Sequence, residues 1–322
     1  MAFRSVLVTG ANGFVGRRFV AALRRIEDVV LTLCGGPQAG RDDLGYHRLD
    51  LSDATAIDAL VAETAPDLVI HLAGQASVSQ ADSASAVTWE VNFVGSFHLA
   101  QAIQRHTPNA TMFFTSSADV YGAAFNDGVA SEDGALKPQS VYAHTKAAAE
   151  AMLADVLPSE ARLIIVRPSN HSGSGQDERF VLPSFARQIA EVEAGLRRPV
   201  MKVGNLDAER DFMHVDAVAD TYLQLLSNAS ALPKRTVVNV ASGRSIPIRA
   251  LLDAMLRMTE MSIAVEVDSK RLRPSDVPSA RLSIAQLRGF GIKPPNPVSD
   301  DLLREILDDQ RAKTQQKVEL DR

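Results

Sequence analysis

Val6-Leu7-Val8-Thr9-Gly10-Ala11-Asn12-Gly13-Phe14-Val15-Gly16 decides the fold. A β-branched run feeds three glycines, and a helical pattern, Phe14–Arg25, follows directly. Glycines at this spacing let the backbone turn tightly and approach a pyrophosphate. They also aim the free N–H groups of a helix N-terminus at the anion. The placement between a strand and a helix turns a weak motif into a dinucleotide-binding fingerprint. Gly10, Asn12, Gly13, Phe14, Val15 and Gly16 are therefore candidate cofactor-binding residues.

Outward from this stretch, short β-branched runs alternate with helical patterns. The strand-like segments are Ser5–Thr9, Val29–Leu33, Leu68–Leu72, Thr111–Thr115 and Leu163–Arg167; the helical ones are Phe14–Arg25, Ala54–Ala65, Ala84–Arg105 and Tyr142–Leu157. Such alternation predicts βαβ units and a buried parallel sheet, an α/β fold. After Pro168 the rhythm changes. A loop-like Ser169–Gln176 precedes helical Phe180–Leu196, Asp216–Ser227, Pro247–Thr259 and Asp300–Gln315, with strands Val200–Val203 and Thr236–Val240. Residues 1–168 are expected to form the nucleotide-binding domain, and 169–322 a smaller substrate lobe interleaved with it.

The chain has 322 residues, 46% hydrophobic and 23% charged, as in ordinary soluble proteins. A net charge of −5 argues against general nucleic-acid binding, which needs a basic surface. One cysteine, Cys34, leaves no internal disulfide framework and fits a reducing compartment. No Cys/His ligand cluster suggests a metal. No signal-peptide pattern and no membrane-length apolar run is visible, so the cytoplasm is the expected location.

Tyr142 and Lys146 lie one helical turn apart, on one face. An ammonium beside a phenol is expected to lower its pKa from about 10. The pair would suit proton transfer in a carbonyl–alcohol interconversion. A carboxylate at the end of the second strand would bond a ribose 2′-hydroxyl and favour NAD. Leu33-Cys34-Gly35-Gly36 contains none, and Arg41 follows, so NADPH is favoured over NADH. Arg41 either meets a 2′-phosphate or is a solvated loop cation. Asp50 and Leu51 either frame the adenine or, for Asp50, cap the next helix. Leu72, Ala73 and Gly74 end the fourth strand, where a nicotinamide ribose would pass.

Together these residues resemble the extended short-chain dehydrogenase/reductase family over nearly the whole chain. The match runs through the glycine motif, His71–Gly74, Asn92, Ser116-Ser117, Tyr142/Lys146 and Arg167-Pro168-Ser169-Asn170. The resemblance implies a Rossmann doubly wound parallel sheet of about seven strands, with a C-terminal sugar-nucleotide lobe. It implies a Ser117, Tyr142, Lys146 triad, with Ser116 the alternative serine. Both Tyr142 and Lys146 would also touch the cofactor. Asn92 would anchor the lysine's water network or simply pack in its helix. Segments 170–176, 180–190, 203–212 and 271–277 are similar to the GDP-hexose branch. That similarity implies a GDP-sugar substrate met by Asn170, Val181, Lys202, Arg210, Arg273 and Asp276. Arginines suit the pyrophosphate because they form forked hydrogen bonds. Asp276 is read either as a ribose partner or as a turn residue, and Arg187 as solvated.

Ser117-Ala118-Asp119-Val120-Tyr121-Gly122 separates two chemistries. The branch's 4,6-dehydratases carry a glutamate base where Asp119 stands. The shorter side chain withdraws the carboxylate by about 1.5 Å, and about 1 Å of misplacement can cost a hundredfold. The form Ser116-Ser117-Ala118-Asp119-Val120-Tyr121-Gly122 is similar to that of the branch's reductases, and this resemblance implies reduction of the C4 keto group of GDP-4-keto-6-deoxy-D-mannose to GDP-D-rhamnose. A 4,6-dehydratase, a nucleotide-sugar epimerase and a non-catalytic dinucleotide sensor are the alternatives. The broad apolar faces of Trp89–Arg105 and Tyr142–Leu157 predict a homodimer.

Overall fold

The computed structural model describes residues 3–36, 45–272 and 277–320. Seven parallel strands form the central sheet: β1 (Ser5–Thr9), β2 (Val30–Gly35), β3 (His47–Arg48), β4 (Leu68–His71), β5 (Thr111–Thr115), β6 (Arg162–Pro168) and the edge strand Arg235–Val240. Their spatial order is β3-β2-β1-β4-β5-β6 and then Arg235–Val240. The order reverses between β1 and β4. This leaves a crevice at their carboxyl ends, where open α/β sheets bind ligands.

The strands are short apolar runs because both faces are covered. Leu7, Val69, Phe114 and Leu163 face the helices Ala54–Thr64, Gly95–His106 and Val141–Val156. Val6, Val8, Phe113 and Ile164 face Phe14–Leu23 and Val215–Ser227, where Phe19 and Tyr222 fill the core. Residues far beyond Pro168 thus complete the first core. A second core, including Leu182, Phe185, Phe212, Leu251 and Ile306, joins the helices Val181–Glu193, Ile248–Leu256 and Asp300–Leu320. Short strand pairs surround it: Asn170–Ser172 with Phe212–His214, and Val200–Val203 with Ala264–Val267.

Two local readings change. Asp53, not Asp50, caps the helix Ala54–Thr64, accepting from Ala56 N at 2.9 Å. Asp50 instead accepts from the Ser52 amide and hydroxyl at 2.9 and 2.8 Å, closing a side-chain turn. The expected helix Ala84–Arg105 is broken into Ser85–Trp89, a π-turn Glu90–Val94 and Gly95–His106. The wide turn is centred on Asn92, whose side chain bonds outside its own helix. π-Turns of this kind concentrate at functional sites.

Candidate active site

The glycine loop is shaped by close backbone approaches. Gly10 has φ +70°, and a Cβ there would lie 2.6 Å from Ala73 N at the end of β4. A Cβ on Gly16 would lie 2.1 Å from Gly10 O. No side chain caps the helix Phe14–Leu23 at Gly13, so its first N–H groups stay available to an anion. Phe14 stacks parallel to His171, with ring centroids 6.2 Å apart. This contact ties the loop to the segment after β6. Asn12 and Val15 are partly exposed beside it. Leu51 is buried in the core behind β1, while Asp50 is exposed at the rim.

Ser140 caps the helix Val141–Val156, accepting from Ala143 N at 3.2 Å, and so places Tyr142 in the first turn. Lys146 is 5% exposed; its Nζ donates to Thr115 O at 2.8 Å and lies 4.8 Å from the Phe114 ring centre. Burial draws its pKa down to about 8, against an upward pull from Glu150. Gly74 runs directly alongside: a Cβ there would lie 3.0 Å from Asn92 Oδ1 and 3.3 Å from Lys146 Nζ.

The Tyr142 phenol departs from expectation. Its pKa is raised, first by burial and then by the Asp119 carboxylate; a hydrogen bond with Ser117 opposes the rise. Lys146 does not acidify it in this arrangement. The reason is that burial penalises the phenolate, and the Asp119 carboxylate adds to that penalty. Such a phenol is protonated at neutral pH and suits proton donation better than abstraction.

The two serines diverge. Ser116 donates to Glu150 inside the core, whereas Ser117 accepts from Asp119 N at 3.1 Å and bonds Tyr142. Asn92 joins three segments. Its Oδ1 accepts from Gln75 N at 2.8 Å, and its Nδ2 donates to Gln75 O at 3.3 Å and Thr145 Oγ1 at 3.0 Å. It therefore locks the strand-end loop to the helix carrying Tyr142 and Lys146.

His71 is fully buried at the switch point. Ser96 Oγ donates to Asn92 O at 2.7 Å, so the His71 Nε2–H must donate to Ser96 at 2.9 Å. Nδ1 then accepts from Thr9 Oγ1 at 2.6 Å. Burial and then the Lys146 charge lower its pKa from 6.5 to about 3. The unfolded chain thus binds a proton that the folded one refuses between these values. Stability is complete above pH 6.5 and declines as pH falls toward about 3, by up to about 1.4 kcal/mol per pH unit. Urea midpoints measured across that range should show a shallower decline for His71→Asn than for the wild type.

Among the remaining candidates, Asn170 is exposed on its short strand and Val181 opens the helix Val181–Glu193. Lys202 is exposed, its amide bonded to Gln188 Oε1 at 2.9 Å. Arg210 Nη1 donates to the Glu209 and Val277 carbonyls at 2.8 and 2.9 Å, joining two strands of the second lobe. Arg187 pairs with Glu191 and Glu178. Arg41, Arg273 and Asp276 lie outside the described residues. Sequence reasoning missed Thr145, Glu150 and Tyr121. Glu150 had a signal, since it lies one turn beyond Lys146 on the same face. Among the described residues no His/Cys/Asp/Glu group could hold a metal, and no helix is long and apolar enough to cross a membrane.

The family described as NAD dependent epimerase/dehydratase matches residues 6–241. A GDP-6-deoxy-D-mannose reductase from Pseudomonas aeruginosa is 33% identical over 314 residues, spanning 97% of this chain and 98% of its own. A dTDP-glucose 4,6-dehydratase from Mycobacterium tuberculosis is 32% identical over 224 residues, spanning 66% of this chain and 65% of its own. Among solved structures, RMD from Pseudomonas aeruginosa complexed with NADPH is similar with a TM-score of 0.80 and 32% identity, covering 96% of this chain and 99% of that one.

Proposed function

The chain belongs to the NAD dependent epimerase/dehydratase family, and on that premise we propose that it reduces the C4 keto group of GDP-4-keto-6-deoxy-D-mannose to GDP-D-rhamnose. The observation that carries the substrate is the likeness, over 97% of this chain, to a GDP-6-deoxy-D-mannose reductase. The cofactor is NAD(P)H. Its cradle is the Gly10–Gly16 loop, where added Cβ atoms would occupy the backbone's own space and the helix start carries no side-chain cap. Leu72, Ala73, Gly74 and Asp50 continue it, with Leu51 packed beneath them. NADPH is preferred, because β2 ends in Cys34-Gly35 without a carboxylate.

NAD(P)H held in this cradle would supply the hydride for the sugar C4. The chain's own residues handle the proton. Tyr142, held protonated by burial and Asp119, gives its hydroxyl proton to the oxygen that gains charge. Ser117 donates a hydrogen bond to the same oxygen. Lys146 would hold the cofactor ribose with its remaining N–H groups, and Asn92 keeps the Gln75 loop and the catalytic helix in register. We assign sugar-nucleotide recognition mostly to the part of the chain after residue 168 that does not return to the first core, with Asn170, Val181, Lys202, Arg210, Arg273 and Asp276 as contacts. The test is direct. Purified protein supplied with the keto sugar nucleotide should oxidise NADPH, and NMR should identify the rhamno product. No oxidation with either NADPH or NADH refutes the proposal, and a talo product corrects its stereochemistry.

A 4,6-dehydratase is the second reading, favoured by one observation: the Asp119 carboxylate acts on Tyr142. Incubation with GDP-mannose and catalytic NADP+ alone should then form the keto sugar. On the reductase reading it forms none.

We further propose a homodimer through the Trp89–Arg105 and Tyr142–Leu157 faces. Val87 and Trp89 are 59% and 39% exposed beside these faces, and a partner subunit would cover them. Light scattering should give twice the 34.7 kDa chain mass, and Trp89→Glu should shift it to the monomer. A wild-type monomer at micromolar concentration would contradict this.

A further inference from the structure

Behind the Tyr142/Lys146 face lies a buried ion pair that the proton chemistry does not use. Glu150 on the catalytic helix and Arg167 on β6 each have side chains 6% exposed. Arg167 Nε reaches Oε1 and Oε2 at 3.0 and 3.2 Å, and Nη2 reaches Oε2 at 2.6 Å. Ser116 Oγ donates to Oε1 from the other side. Arg167 also stacks over the Tyr121 ring at 4.9 Å and donates to its hydroxyl at 2.8 Å. Tyr121 in turn donates to Asn239 Oδ1 on the edge strand at 2.8 Å.

Stability alone does not explain this arrangement. Replacing a buried ion pair by packed apolar groups is often neutral or stabilising. Its position is more informative. It joins the helix of Tyr142 and Lys146 to the turn Ser116–Gly122 that presents Ser117 and Asp119. Two consequences follow: Ser116 is consumed, and a carboxylate sits one turn below Lys146.

We propose that Glu150, clamped by Arg167, is a positioning residue of the reducing site: it fixes Ser116 so that Ser117 meets Tyr142, and it supplies the counter-charge beneath Lys146. This deepens the reductase reading and rests on the roles given there to Ser117, Tyr142 and Lys146. The groups facing Lys146 are neutral His71 from β4, the Phe114 ring and Thr115 carbonyl from β5, and Glu150 on its own helix. Facing Glu150 are Arg167 and Ser116, with Tyr121 and the Glu132 carbonyl bonded behind the guanidinium.

Carbon-13 NMR titration of the lysine Cε signals tests this without turnover, with Lys146→Arg assigning the signal. Glu150→Gln should move the Lys146 titration down by about one pH unit, and Glu150→Asp should restore most of the shift. In parallel, the alkaline limb of kcat/KM should move with it. Ser116→Ala, which keeps the ion pair, should lower kcat about tenfold with little change in KM for NADPH. A merely structural pair would reduce folded yield and leave the titration in place. An unchanged Lys146 titration in folded Glu150→Gln overturns the counter-charge role. Unchanged kcat in Ser116→Ala overturns the positioning role, and it does so even if Glu150→Gln does not fold. A wild type inactive on the keto sugar overturns the reductase reading instead, while the NMR titration still judges Glu150.

Discussion

Tyr142→Phe is expected to lower kcat for keto-sugar reduction by about 10²–10⁴-fold, the usual contribution of a positioned general acid. The ring and its packing survive; only the hydroxyl is lost. That hydroxyl is bonded to Ser117 and kept protonated by burial and by Asp119. Without it, the developing alkoxide has no proton donor at the right place. NADPH affinity should change by less than about tenfold, because one hydrogen bond contributes about 1 kcal/mol net. Stopped-flow single turnovers and a fluorescence titration of NADPH separate the two effects. A variant that keeps more than a tenth of wild-type kcat would remove Tyr142 from its proposed role.

Gly16→Ala is expected to abolish dinucleotide binding and to destabilise the fold by about 3 kcal/mol. The added methyl would lie 2.1 Å from Gly10 O and 2.8 Å from Ala11 O. Both neighbours are backbone, so no side chain can rotate away. The helix Phe14–Leu23 must shift outward, its N–H groups leave the anion cradle, and Phe19 loses its fit in the core. Gly289→Ala, far from the glycine loop, is the control. No atom lies within 4 Å of its added Cβ, and stability should change by less than about 0.5 kcal/mol. NADPH titration and urea denaturation of the two variants decide the matter. Binding by Gly16→Ala at wild-type affinity would show that the helix start does not form the cradle.

The parallel sheet was legible because both of its faces are buried, which leaves β-branched runs separated by helical periods. The glycine loop was legible because its need for close backbone contact admits only one residue type at Gly10 and Gly16. The π-turn at Glu90–Val94 was not. Local periodicity there reads as uninterrupted helix, and the turn forms through Asn92 bonds to Gln75 and Thr145, 17 and 53 residues away.

Charge was the least legible property. From sequence, Tyr142 and Lys146 at one-turn spacing read as an ammonium acidifying a phenol. In the fold, burial penalises the phenolate and the Asp119 carboxylate adds to it, so the shift has the opposite sign. Spacing along a helix determines which residues share a face. The protonation state depends on what the neighbouring strands and turns bring against that face, and on how much water they exclude. The nucleotide fold, the Tyr142/Lys146 face and the family were readable because each rests on local spacing and residue type. Which serine meets Tyr142, and where Glu150 spends its charge, came only with long-range packing. Those outcomes depend on contacts between β5, β6 and the helix Val141–Val156, and buried electrostatics is set by such contacts, not by chain order.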